Sequence, residues 1–115
     1  MIIVTITSKQ NKIDKLEIKG HAYSAEYGKD LVCAGVSAIT VGGLNAVAKA
    51  YNNDLTKFKV EMSEGYTSLN VLDTEKQDVQ TILETLEIQF KTIEETYSKF
   101  IKIIEQEVHS SWCFL

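Results

Sequence analysis

Arginine is absent from this 115-residue chain: all 12 basic residues are lysines. The planar, bidentate fork that reads phosphates and guanine edges is therefore missing. Acidic residues number 16 and set the net charge at −4. An acidic body without arginine argues against direct binding of nucleic acid. Cysteine is scarce too. Cys33 and Cys113 lack C-x-x-C spacing, so neither a zinc knuckle nor a dithiol redox motif is present. The opening stretch Met1–Thr7 has no basic leader and no small-residue cleavage site, which makes the cytoplasm the expected location, where a structural disulfide is not expected. Charge is missing from Leu31 to Ala48, a length that approaches a membrane span. That run contains Ser37, Thr40 and Asn45 with three glycines and no dense Leu/Ile/Phe block, so a buried helix of a soluble core is expected and no membrane contact.

Hydrophobic residues make up 44% of the chain and charged ones 24%, the balance of one soluble globular domain over residues 1–115. Ile2, Val4 and Ile6 alternate with Ile3, Thr5 and Thr7 and predict a strand. A polar turn at 8–12 leads to a second strand with Leu16 and Ile18 facing in. Residues 22 to 29 lack a period and read as a loop. Asp30 then serves as N-cap of a helix running to about Tyr51, where Asn52-Asn53-Asp54 stops it. Phe58, Val60 and Met62, and then Thr67, Leu69 and Val71, form a second hairpin around Ser63-Glu64-Gly65. Asp73 and Thr74 open a second helix, with capping-box spacing from Thr74 to Gln77. Its apolar stripe is Val79, Ile82, Leu83, Leu86, Phe90, Ile93 and Tyr97. The segment 100–108 either extends this helix or returns as an edge strand, and we favour the strand. The pattern ββαββα(β) predicts an α+β domain, an antiparallel sheet with both helices on one face.

The chemistry gathers in Gly20-His21-Ala22 and in Gly28-Lys29-Asp30-Leu31-Val32-Cys33-Ala34-Gly35-Val36-Ser37-Ala38. Here an imidazole ends a strand and a thiol enters the first turn of a helix. A helix N-terminus presents unpaired amides and a positive dipole end, a setting that favours thiolates and oxyanions. With Asp30 as N-cap, Cys33 falls at the third helical position, and His21 becomes its base if the loop folds back. Asp30 either caps the helix or orients His21. Ser37, four residues after Cys33, shares its face. Gly28 is a candidate hinge. The spacing alone leaves a plainer reading open, a small buried cysteine and an ordinary histidine. A metal site would need two further ligands, with only His109, Cys113 and carboxylates to supply them. His109 and Cys113 form a second thiol–imidazole pair without a helix N-terminus beside it.

Taken together, these segments resemble the ribosomal-processing cysteine proteases, the Prp family. The likeness extends over nearly the whole chain, including the Asn45-containing first helix and Thr92-Ile93-Glu94-Glu95 in the second. It implies a homodimeric, cytoplasmic endopeptidase without a cofactor, which removes the N-terminal extension of a large-subunit ribosomal protein precursor. On that resemblance Cys33 matches the nucleophile and His21 the general base. Asp30 and Ser37 match supporting positions, and Gly20 shapes the turn before the histidine. The segment Ala22–Lys29 matches a substrate loop, whose Tyr23 and Tyr27 would touch an aromatic residue of the substrate. The tail 109–115 departs from the family pattern and is expected either to pack at a dimer edge or to be flexible. Two rival functions remain in view: a non-catalytic, ribosome-associated peptide-binding module, and a thiol hydrolase or transferase acting on a small molecule.

Overall fold

The computed structural model describes residues 1–20 and 29–108, with the side chains of Lys29 and Asp30 excepted. Its elements are β1 (Ile2–Lys9), β2 (Lys12–Lys19), α1 (Lys29–Ala50), β3 (Phe58–Ser63), β4 (Tyr66–Val71), α2 (Gln77–Tyr97) and β5 (Ile101–Val108). The β1–β2 hairpin closes on Gln10 and Asn11 alone, at φ 52° and 65°. Two consecutive positive φ values match the right-handed twist of the strands, so the strands run further than the polar stretch at 8–12 suggests. Asn52 and Asn53, at φ 54° and 60°, stop α1 where expected, asparagine tolerating this left-handed region better than most residues.

The sheet has the order β3-β4-β2-β1-β5. It is mixed rather than antiparallel, because β5 runs parallel to β1, from Ile2 opposite Ile101 to Lys9 opposite Val108. The reason lies in α2. A helix joining two strands returns the chain to the end where the first strand began, so the second strand must run the same way. Here α2 carries the chain from β4 back across the sheet to its far edge. The segment 100–108 is thus a strand, as favoured from the sequence.

Both helices pack on one sheet face, and a single core joins Val4, Ile6, Leu16, Leu69 and Ile101 of the sheet to Val36 and Val47 of α1 and to Leu83 and Phe90 of α2. By length and composition α1 is apolar enough to cross a membrane, yet its Val32, Val36, Leu44 and Val47 are buried in this core. The helices approach closely at Gly43, where a Cβ would fall 2.6 Å from both terminal carbons of Leu86. The capping box is not formed. Lys76 is the N-cap of α2 without a side-chain bond, and Asp73 instead accepts the Glu75 N–H at 3.1 Å in a local turn.

Two features interrupt the simple patterns. Thr7 pairs with Lys15 but Ser8 with Ile13, so Asp14 is the extra residue of a bulge. Gln80, which interrupts the apolar stripe, is buried beside it. Its Oε1 accepts the Ile13 N–H at 2.8 Å and its Nε2 donates to the Ile13 carbonyl at 2.9 Å. The second departure is in β3. Phe58 is buried, but Val60 and Met62 on the same strand face are 37% and 63% exposed. The helix layer does not reach them, and that gap forms one side of the candidate site.

Candidate active site

Between α1 and the end of the sheet that the described helices leave open lies a cavity of about 300 Å³. Its α1 wall carries Cys33, Ser37 and Thr40, and its sheet side includes Ile2, Ile18, Met62 and Tyr66. The spacing i, i+4, i+7 places the three α1 residues on one helical face, as the sequence implies for the first two. Cys33 is a free, half-buried thiol. Ser37 lies one turn further along and is exposed.

Gly20 lines the same cavity. Its φ is +106°, and a Cβ built there would sit 2.3 Å from the Met1 carbonyl oxygen. Both the dihedral and the close backbone approach therefore require glycine. Its N–H donates to the Gly65 carbonyl at 3.0 Å, which ties the end of β2 to the β3–β4 turn, where Gly65 has φ +72°. The chain direction immediately before His21 is fixed by these contacts.

His21, Tyr23, Tyr27 and Gly28 lie outside the described residues, as do the tail 109–115 and its His109 and Cys113. Asp30 requires a correction. It is the second residue of α1, inside the helix rather than capping it, and Lys29 is helical rather than part of the loop. Four described helical residues, Lys29 to Val32, precede Cys33, so the start of α1 lies at least a turn before the thiol. The misreading has a simple cause: Asp is a favoured N-cap, and propensity ranks the residue without locating the first helical hydrogen bond.

The sequence reading singled out Cys33, Ser37 and Gly20 but not Thr40, Ile18 or Met62. Thr40 could have been found by extending the Cys33–Ser37 spacing one turn. The sheet residues could not, since they meet α1 only through the strand order.

Away from this cavity, Glu84, Glu87 and Glu105 line a second surface pocket with Ile6. Burial, and then a hydrogen bond shared with Glu105, holds the Glu87 carboxyl above the usual range. The Lys91 ammonium, bonded to Glu105, holds that carboxyl below it.

Comparison with known proteins finds relatives of this sequence and this architecture. Ribosomal processing cysteine protease Prp of Staphylococcus aureus is 34% identical over 104 residues, covering 90% of this chain and 97% of that protein. The crystal structure of S. aureus Prp with a substrate peptide superposes with a TM-score of 0.78 at 33% identity, covering 91% of this chain and 99% of the other. A second crystal structure of that enzyme, with a covalently linked product peptide, gives 0.77 at 34% identity, with the same coverage. The family model of cysteine protease Prp matches residues 1–102, and the chain belongs to that family.

Proposed function

We propose that this chain is a cytoplasmic, homodimeric cysteine endopeptidase that removes the N-terminal extension of a large-subunit ribosomal protein precursor. In this reading it contacts neither nucleic acid nor membrane. Cys33 is the nucleophile and His21 its general base. The observation that carries the proposal is the position of the Cys33 thiol, half-buried in the wall of a cavity that Gly20, the residue before His21, also lines. The covalently linked product peptide in the S. aureus relative supports a covalent step.

His21 takes the proton of the Cys33 thiol, and the sulfur attacks the scissile carbonyl carbon. The oxyanion that forms is held by unpaired amides at the start of α1. His21 then protonates the leaving amine as the C–N bond breaks, leaving a thioester on Cys33. Water adds to the thioester, giving its proton to His21, and collapse of the adduct expels the thiolate, which recovers that proton. Ser37 and Asp30 support the site, Asp30 from within the first turn of α1, and Tyr23, Tyr27 and Gly28 belong to the substrate loop.

The test is cleavage of the N-extended precursor made by the same organism, followed by intact mass for wild type and Cys33→Ala. One defined cut, made by wild type and abolished in a folded Cys33→Ala variant, supports the peptidase. Tight binding without a cut favours the ribosome-associated peptide-binding module, and neither cutting nor binding removes the precursor as substrate.

A further inference from the structure

The cavity extends well past the thiol. Thr40 follows Cys33 by two helical turns, about 10 Å along the axis at roughly 1.5 Å per residue. It is 6% exposed, and its hydroxyl oxygen is buried with no hydrogen-bond partner. A helical threonine has an easy remedy, donation to the carbonyl four residues earlier. Thr81, Thr85 and Thr92 of α2 all take it, bonding to Gln77, Thr81 and Ile88. Thr40 does not, although the Val36 carbonyl is at the corresponding position. Its hydroxyl is left unpaired where its residue lines the cavity. A buried hydroxyl without a partner is destabilising and needs an explanation.

We propose that Thr40 is a specificity-determining residue, whose hydroxyl hydrogen-bonds a neutral polar side chain of the peptide substrate at a subsite remote from the thiol. The proposal rests on the reading of this cavity as a peptide cleft. Three observations define the substrate chemistry. The distance from Cys33 corresponds to about three residues of extended peptide at roughly 3.3 Å each, so the side chain belongs to the third residue from the scissile bond. Ile2, Ile18, Val36 and Met62 make much of the lining apolar, which suits the stem of that side chain. None of the described lining residues is Asp, Glu, Lys or Arg, so a charged side chain would be buried without a counter-ion. Asparagine, glutamine, serine and threonine meet all three requirements.

The probe is a synthetic peptide copying the first twenty residues of the precursor, scanned with Asn, Leu or Glu at each position in turn. Wild type is expected to prefer Asn over the similarly sized Leu by about tenfold in kcat/KM at the third residue on one side of the cut. Glu there should be worse than Leu. Thr40→Val, which keeps the shape and removes the hydroxyl, should reduce the Asn preference to about twofold or less while Leu peptides are still cut. Thr40→Ser should restore it. Thr40→Val should also melt no lower than wild type, because it removes an unpaired buried group. An equal Asn-to-Leu ratio in wild type and Thr40→Val overturns the proposal and leaves the hydroxyl a buried group without a substrate role. The same peptides are titrated onto Cys33→Ala with and without Thr40→Val. A Thr40-dependent preference in affinity without any cleavage sinks the peptidase reading and keeps the subsite, whereas no binding by any peptide overturns both.

Discussion

The two helices are of nearly equal length, 22 residues in α1 and 21 in α2, and each joins two strands across the same sheet, yet their side chains are used differently. In α2 the buried apolar positions form one stripe, Val79, Leu83, Leu86 and Phe90, with Ile88 exposed outside it, and Thr81, Thr85 and Thr92 satisfy their hydroxyls on their own backbone. In α1 the buried positions Val32, Val36, Leu44 and Val47 share the helix with exposed Leu31 and Val41, three glycines, a half-buried thiol and an unpaired hydroxyl. One helix closes the core. The other also buries four apolar residues, and in addition carries Cys33, Ser37 and Thr40 along the wall of a cavity. If these are the groups that meet a substrate, as proposed, they are left partly unsatisfied in the resting protein, and stability comes from elsewhere in the fold.

The largest test of that contrast is Phe90→Ala. Phe90 is fully buried, and its truncation should lower unfolding free energy by about 3–5 kcal/mol, read from urea denaturation. Leu31→Ala, at an exposed α1 position of 63%, should stay within about 0.5 kcal/mol of wild type. Similar losses for the two variants would break the comparison. A smaller effect is expected where the helices touch. Gly43→Ala forces a methyl against Leu86 and should cost about 1–3 kcal/mol as the helices shift apart. Gly42→Ala next to it meets nothing within 4 Å and should gain about 0.5–1 kcal/mol from helix propensity. A reversed order for this adjacent pair would mean that the helix contact is not at Gly43.

The smallest effect concerns charge. The Glu87 carboxyl titrates higher in the folded protein than in the unfolded chain, chiefly through burial. Its contribution to stability is therefore full at acid pH, where it is protonated in both states, and is lost as pH rises through the folded value. Glu105 works in the opposite sense: its lowered value stabilises above the ordinary carboxylate range and fades on acidification. Glu87→Gln removes the first of these and leaves the larger cause of the second, the Lys91 bond to Glu105, in place. It should raise the melting temperature slightly at neutral pH, with the gain vanishing on acidification through the folded value of Glu87. A gain confined to acid pH would show that Glu105 dominates the cluster.

Local patterns carried much of this molecule. The alternation of Ile2, Val4 and Ile6 gave β1, the stripe from Val79 to Phe90 gave α2, and the glycine–histidine and glycine–cysteine segments marked the side of the fold where the cavity lies. The losses share one physical origin, contact between residues distant in the chain. The direction of β5 follows from where α2 delivers it, and no feature of Ile101–Val108 encodes that direction. Gln80 looks like an interruption of an apolar stripe until the Ile13 peptide is set opposite it. Val60 and Met62 alternate as core residues do, but burial needs a covering layer, and among the described residues none reaches them.

The parallel pairing of β1 with β5 has a consequence for the making of the protein. The first strand synthesised lies inside the sheet, between β2 and β5, and its second neighbour is the last strand described, Ile2 meeting Ile101. Such a pairing closes a loop of nearly the full chain length, the slowest kind of contact to form. Until Ile101–Val108 has been translated, β1 has a bare edge, and the Ile2 N–H lacks the Phe100 carbonyl it donates to at 2.8 Å. Ile2 is also part of the cavity lining beside Cys33. The described residues that line the cavity all lie between Ile2 and Thr67, so the lining is translated before β5, and what the last strand adds is the second neighbour that holds Ile2 in the sheet.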